Sequence, residues 1–193
     1  ADRIPVAQIW FAIMLGKIEL LRGHLGDSRG WYREGASTAR LHGFRGPLRL
    51  AVAGEAVAEA QLGNGSSAAT AIEELDSLPE FAFLAHDQAI GRAWASWAGG
   101  RPAAARATLL AEAERAAEAS NRASAAWLWH DAGRMGAKGL GGCLGELAQA
   151  SDSALIAVRA VHAAAIDSGD PQALADASRQ LEALGMDLVA AEA

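Results

Sequence analysis

The sequence is short of several things. Its 193 residues include one cysteine, one tyrosine and five prolines. There is no long uncharged apolar run and no run of basic residues. Cys143 alone cannot close an internal disulfide, which fits a reducing compartment, and a cytoplasmic location is expected. The apolar stretch 6–15 is followed at once by Lys17 and Glu19 and is too short to span a bilayer. As an export signal it lacks a small-residue cleavage site, and Asp2 and Arg3 lead straight into an amphipathic pattern. Lys+Arg 17 against Asp+Glu 23 gives a net charge of −6. Phosphate binding needs clustered positive charge, so this chain is a poor nucleic-acid binder by itself. Sustained strict alternation, which a half-buried strand requires, is also missing.

What is present is alanine: 48 of 193 residues. Alanine has the lowest conformational cost in a helix and contributes little to a pleated surface. With 51% hydrophobic and 21% charged residues the chain can bury a core. An all-α fold is therefore expected. Gly26, Gly63, Gly100, Gly136 and Gly169 recur 37, 37, 36 and 33 residues apart, close to the period of about 34 found in tetratricopeptide helix pairs. Each period divides in two. Helices are predicted over 4–22, 28–42, 47–62, 67–77, 80–98, 102–119, 121–135, 140–150, 153–168 and 171–184. Asp170-Pro171 reads as an N-cap followed by proline in the first turn. Gly46-Pro47, Leu78-Pro79 and Arg101-Pro102 mark further starts, with Ser66, Asn121 and Ser153 as caps. Apolar residues recur at helical spacing, as in Leu50, Ala53, Val57, Ala60 and in Ala105, Leu109, Ala113, Ala117. The expected architecture is a tetratricopeptide-like αα superhelix, a solenoid of about five helix pairs. It is read as one helical-repeat domain over 1–193. The pattern is already running at Ala1 and still running at Ala193, as in a piece of a longer protein.

Motifs for bond chemistry fail on context. Gly63-Asn64-Gly65-Ser66-Ser67-Ala68 fits a loose dinucleotide pattern, but helix rather than strand precedes it, so it reads as a turn between helices. Gly16-Lys17 lacks the Ser or Thr and the first glycine of a phosphate loop. Gly141-Gly142-Cys143-Leu144-Gly145 resembles a nucleophile elbow with no strand before it, so Cys143 reads as a buried inert thiol. The dipeptides His86-Asp87 and His130-Asp131 have no metal-ligand spacing and read as satisfied or solvent-facing. His162 reads as a helix-packing histidine, and His24 and His42 as residues at helix C-termini. No catalytic residue, cofactor or metal is assigned. A small helical enzyme using Cys143 or the His-Asp pairs is the rival from another class, and a stand-alone tetratricopeptide-like scaffold with no ligand is a second.

The most suggestive polar–aromatic set is Trp94, Trp97, Trp127 and His130. Trp94 and Trp97 share a helix face, as do Trp127 and His130. In an alternating array their helices are first helices of adjacent pairs and would line a concave surface open to a protein partner or a small effector. The structural alternative is that these rings fill space left by alanine, and Trp129 is given that role.

The stretch 126–136, AWLWHDAGRMG, resembles a segment common in large LuxR-type bacterial regulators, and so does the run 157–193. Its most specific part is the Gly-Asp-Pro turn at 169–171, the helix ending Leu181-Glu182-Ala183-Leu184-Gly185, and the closing Ala190-Ala191-Glu192-Ala193. The resemblance covers roughly 80–193 and is generic before that. It implies a tetratricopeptide-like array between a nucleotide-binding switch module and a helix-turn-helix. DNA would then be reached only through a module absent from this chain, and no ATP-binding or operator-binding role passes to any residue here.

Overall fold

The computed structural model describes residues 4–81 and 85–193. The described residues form eleven helices and no strand: α1 (Pro5–Arg22), α2 (Leu25–His42), α3 (Arg45–Gln61), α4 (Gly65–Ser77), α5 (Ala85–Ala98), α6 (Pro102–Glu118), α7 (Arg122–Arg134), α8 (Gly141–Gln149), α9 (Ala154–Ser168), α10 (Pro171–Ala183) and α11 (Asp187–Glu192). The all-α expectation holds. The contacts divide the chain into two compact units, Ala1–Ala105 and Arg106–Ala193, and the division falls in the first turn of α6.

In each unit some helices meet both the next one and the next but one. In the first unit α1 touches α2 and α3, and α3 touches α4 and α5. In the second α7 touches α8 and α9, and α9 touches α10. These contacts are consistent with an α-helical repeat. None of the described helices is long and apolar enough to cross a membrane.

Helix ends explain the spacing read from the sequence. Gly63, Gly100, Gly136 and Gly169 lie at positive φ just past helix ends, where a residue without Cβ closes the last turn at least cost. Gly26 does not; it lies inside α2, and Gly23 at φ 88 takes that role. Gly43, Ser120 and Gly185 repeat the device after α2, α6 and α10, so it punctuates most helices rather than one per pair; α4 and α8 end without it. Asn121, Ser153 and Asp170 cap as expected, accepting from the backbone N–H of Ser124, Ile156 and Gln172. Ser66 does not cap; it lies inside α4.

Leu78-Pro79 also departs from expectation. Leu78 is extended, as the residue before a proline tends to be, and 79–81 are not helical. The pair ends α4 instead of starting α5. Residues 82–84 of the helix predicted over 80–98, like Asp2 and Arg3, lie outside the described residues. The helix α11 was not predicted: six residues are too few turns for a periodicity to be read.

Close approach organises the first unit. Tyr32 on α2 is buried, with Gly16 of α1 on one side and Gly54 of α3 on the other. A Cβ at Gly54 would stand 2.2 Å from the Tyr32 ring, and one at Gly16 would stand 3.0 Å away. At Gly91 of α5 a Cβ would stand 2.8 Å from the Ala53 carbonyl of α3, backbone against backbone. Around these contacts Ile9, Ile13, Val52 and Leu75 join the alanines in one core. Burial, then the charge of Asp87, holds the Tyr32 hydroxyl well above the ordinary tyrosine range, so the ring stays neutral.

Arg49 ties three helices together. Its Nη1 donates to the carbonyls of Leu75, Leu78 and Pro79, and its Nη2 to Gln88 on α5. The last carbonyls of a helix have no partner within it, and a buried guanidinium here supplies the missing donors at the end of α4.

The second unit repeats the close approach. A Cβ at Gly141 of α8 would stand 2.9 Å from the Cα of Ala164 on α9. Val158, Leu181, Met186 and Val189 form the core that holds α11, and the Ser178 hydroxyl donates to the Ala190 carbonyl at 2.7 Å.

Gly54→Ala is expected to destabilise the protein by about 1–3 kcal/mol through overpacking against Tyr32. Gly142→Ala, in α8 with nothing within 4 Å of the added Cβ, is expected to be neutral or stabilising by up to about 1 kcal/mol. Urea unfolding of the two variants checks the contrast. Equal effects would contradict the close-approach account.

Candidate functional site

The four residues singled out in the sequence fall in different units. Trp94 and Trp97 are on α5 in the first, and Trp127 and His130 are on α7 in the second. Trp94 is 7% exposed, whereas Trp97, one turn on, is 37% exposed. Trp97 is thus open to solvent and Trp94 is part of the interior. Trp129 is half-buried.

Trp127 and His130 belong to a polar network that α7 shares with α9 and α11. The Trp127 Nε1 donates to Asp131 Oδ2 at 3.2 Å. The Arg159 guanidinium of α9 lies over the Trp127 ring, 5.5 Å from its centroid, in cation–π range. Asp131 Oδ1 accepts from Arg134 Nη1 at 2.9 Å. The same Arg134 grips Glu192 of α11 with both arms, Nε to Oε2 at 2.7 Å and Nη2 to Oε1 at 2.9 Å. His130 is 1% exposed, and its Nε2 meets Nδ1 of His162 at 3.0 Å. One of the two imidazoles donates and the other accepts, so a single shared proton satisfies the contact. His162 is a packing histidine as expected, although the partner it packs on is polar.

Charge is concentrated here. Burial lowers the pKa of Arg159 to about 10, with Asp131 acting in the opposite sense, so the side chain stays cationic at neutral pH. Its Nε has no hydrogen-bond partner. Arg134 is held above the ordinary arginine range: Asp131 and Glu192 outweigh its burial. Burial, then the charges of Arg159 and Arg134, holds His130 well below the ordinary histidine value. Burial and Arg134 lower His162, against a smaller opposite effect from Glu192.

Beside this network opens a cleft of about 420 Å³, bounded by Arg134, Lys138, His162, Ile166, Leu174 and Glu192 among others. That is within the usual range of small-molecule sites, about 300–1,000 Å³. The cleft escaped the sequence reading, but a signal for it was present. Trp127, Asp131 and Arg134 follow at i, i+4 and i+7, and Arg159, His162 and Ile166 at i, i+3 and i+7 on α9, so each set shares one helix face.

Other candidates are already engaged. The Cys143 Sγ donates to the Leu140 carbonyl at 3.5 Å, and the thiol is half-buried rather than fully buried. Asp87 pairs with Lys17 at 2.9 Å. Asn64 donates to Glu59 in the turn between α3 and α4, where the G-x-G-x-x-A pattern lies. Arg33, Arg40, Glu55 and Glu74 line a groove of about 310 Å³ in the first unit, with Arg40 bidentate on Glu74. Glu19, His24 and Asp27 place one possible metal-ligand atom each within 4.8 Å of one another; two of the three are already partners, His24 Nδ1 lying 2.6 Å from Glu19 Oε2.

No protein-family profile, curated protein or solved structure matches this chain.

The two histidines make stability depend on pH. Their folded values lie below the unfolded value of about 6.5, so the unfolded chain binds the protons first. Stability is complete above about pH 6.5 and falls as the pH drops below it, by up to about 1.4 kcal/mol per pH unit for each histidine. Urea midpoints at about pH 7.5 and pH 5.5 are expected to differ in the native protein and to differ less in His162→Gln, where His130 alone of the pair remains. A flat profile in the native protein would contradict this.

Proposed function

We propose that this chain is an effector-sensing or protein-interaction repeat region of a LuxR-type transcriptional regulator. It recognises a small ligand or a partner protein and performs no bond chemistry. The observation that carries this reading is the coupling of Trp127 and His130 to an open cleft, through Asp131–Arg134 on one side and His162 on the other. Both residues lie in the stretch 126–136 on which the resemblance rests. Stacked helix pairs and a net charge of −6 agree with it. On this reading DNA is contacted by a separate helix-turn-helix, and nucleotide is bound by a separate switch module. An effector acts by binding two arrangements of the helix pairs with different affinities. The half-buried Cys143 Sγ already lies against the Leu140 carbonyl, which counts against the rival enzyme reading.

A stand-alone scaffold is the second reading, and α1 favours it. Ile4 just before α1, with Phe11, Met14 and Ile18 along it, is exposed at spacings of seven, three and four. That spacing is the stripe by which one helix packs along another.

A thermal-shift panel of metabolites separates the two. A ligand at 100 times its dissociation constant adds about 2.7 kcal/mol, or roughly 5–10 °C for a chain of this size. The sensing reading expects at least one such ligand, with binding weakened in Trp127→Phe. A panel that leaves the melting temperature unmoved favours the scaffold.

A further inference from the structure

We propose that the cleft of the second unit takes the carboxylate of a small amphipathic acid, which displaces Glu192 from Arg134. This deepens the sensing reading and rests on it for its biological meaning. The geometry is already that of carboxylate recognition. Arg134 presents two parallel donors to Glu192, at 2.7 and 2.9 Å, the fork-to-fork contact that distinguishes arginine from lysine. The Arg134 side chain is 7% exposed and that of Glu192 is 40% exposed, so the acceptor stands at the open side of a buried donor.

Charge balance calls for an acid at that place. Arg134 and Arg159 are two cations in one network, and Asp131 is its fully buried carboxylate. Asp131 already pairs with Arg134, and a second negative group there offsets the remaining positive charge of the network. Glu192 fills the position with a side chain, and a ligand carboxylate fills it equally well.

The rest of the cleft suits the body of such a ligand. Ile166 and Leu174 give apolar wall, and Gly133 brings no side chain into the space. Lys138 at the rim, its Nζ on the Ile166 carbonyl, adds a positive charge near the entry. Exchange leaves the fold alone. Val189 stays in the core and Ala190 stays bonded to Ser178, so only the Glu192 side chain has to rotate.

The test is calorimetric titration of the full chain with acetate, octanoate and 4-phenylbutyrate, and with 4-phenylbutyramide as the uncharged control. The proposal expects 4-phenylbutyrate or octanoate to bind and the amide not to. Glu192→Ala removes the internal competitor and is expected to tighten acid binding about tenfold, the factor for a site occupied about nine-tenths of the time. Lys138→Ala, at an exposed position, is expected to weaken it. Binding of the amide as tight as that of the acid, or equal acid affinity in the native and Glu192→Ala proteins, overturns the assignment. If none of the acids binds while an uncharged metabolite still raises the melting temperature, the cleft assignment falls and the sensing reading stands. If nothing binds, both fall.

Discussion

The distance at which neighbouring helices meet controls the rest of this structure. Where a carbonyl stands 2.8 Å from the place a Cβ would occupy, as Ala53 does beside Gly91, nothing larger than glycine is tolerated. Alanine and glycine faces let backbones approach closely, and the price is that little apolar area is buried by any one pair of helices. A helix then gains by touching more than one other, as α3 does with α1, α2, α4 and α5, and α9 with α7, α8 and α10. Large side chains become exceptional objects in such an interior. Tyr32 is accepted because Gly16 and Gly54 leave a slot for its ring; the fit sets the relative position of three helices with one residue.

Small faces have a second consequence. Alanine layers are thin, so long polar side chains reach across them and meet. Arg49 reaches from α3 to the end of α4 and to α5, and Arg159 reaches from α9 to Trp127 on α7. Buried ions of this kind are weak evidence for stability, because desolvation offsets much of their attraction. Their effect is on specificity: a guanidinium that must find three carbonyls in one place allows one arrangement of the helices that supply them. The same holds for the His130–His162 contact, which has a single proton for two nitrogens and therefore one geometry.

Fold class was legible from composition, because a quarter of the residues being alanine leaves little that could build a sheet. Most helices were legible from their ends. Asn121, Ser153 and Asp170 are capping residues whose side chains act on bonds two or three residues away, and such local chemistry is written in consecutive letters. What failed was longer in range. Gly26 and Gly23 look alike in sequence, and only the close of α1 decides which one turns left-handed. Pro79 can begin a helix or end one, and Arg49, thirty residues earlier, holds the end. Trp94 and Trp97 share a face by spacing, yet one is buried and the other exposed. Of the candidate site, the helical spacing of Trp127, Asp131 and Arg134 was readable, but the partner Glu192 is 58 residues from Arg134 and no local pattern points to it.

Asp131 is what makes the cleft more than a hole. Its two oxygens are divided, Oδ1 to Arg134 and Oδ2 to Trp127. Whatever stands on Arg134 therefore changes how firmly that guanidinium holds Asp131, and through the other oxygen how firmly the indole is held. Arg159, over the face of the same indole, and His130, one turn of α7 away, complete the set. Contiguity alone does not make a signal; an element with two discrete positions is required. The proposed exchange would make the Glu192 side chain such an element, docked on Arg134 or displaced from it, while the Ala190 carbonyl of α11 is held by Ser178. A switch confined to one carboxylate moves little mass, and it acts on a helix, α7, whose contacts run to both α8 and α9. The second unit thus has its polar side chains where a small event at the surface reaches α7 and, through Arg159 and His162, α9, the helix that α7, α8 and α10 all touch.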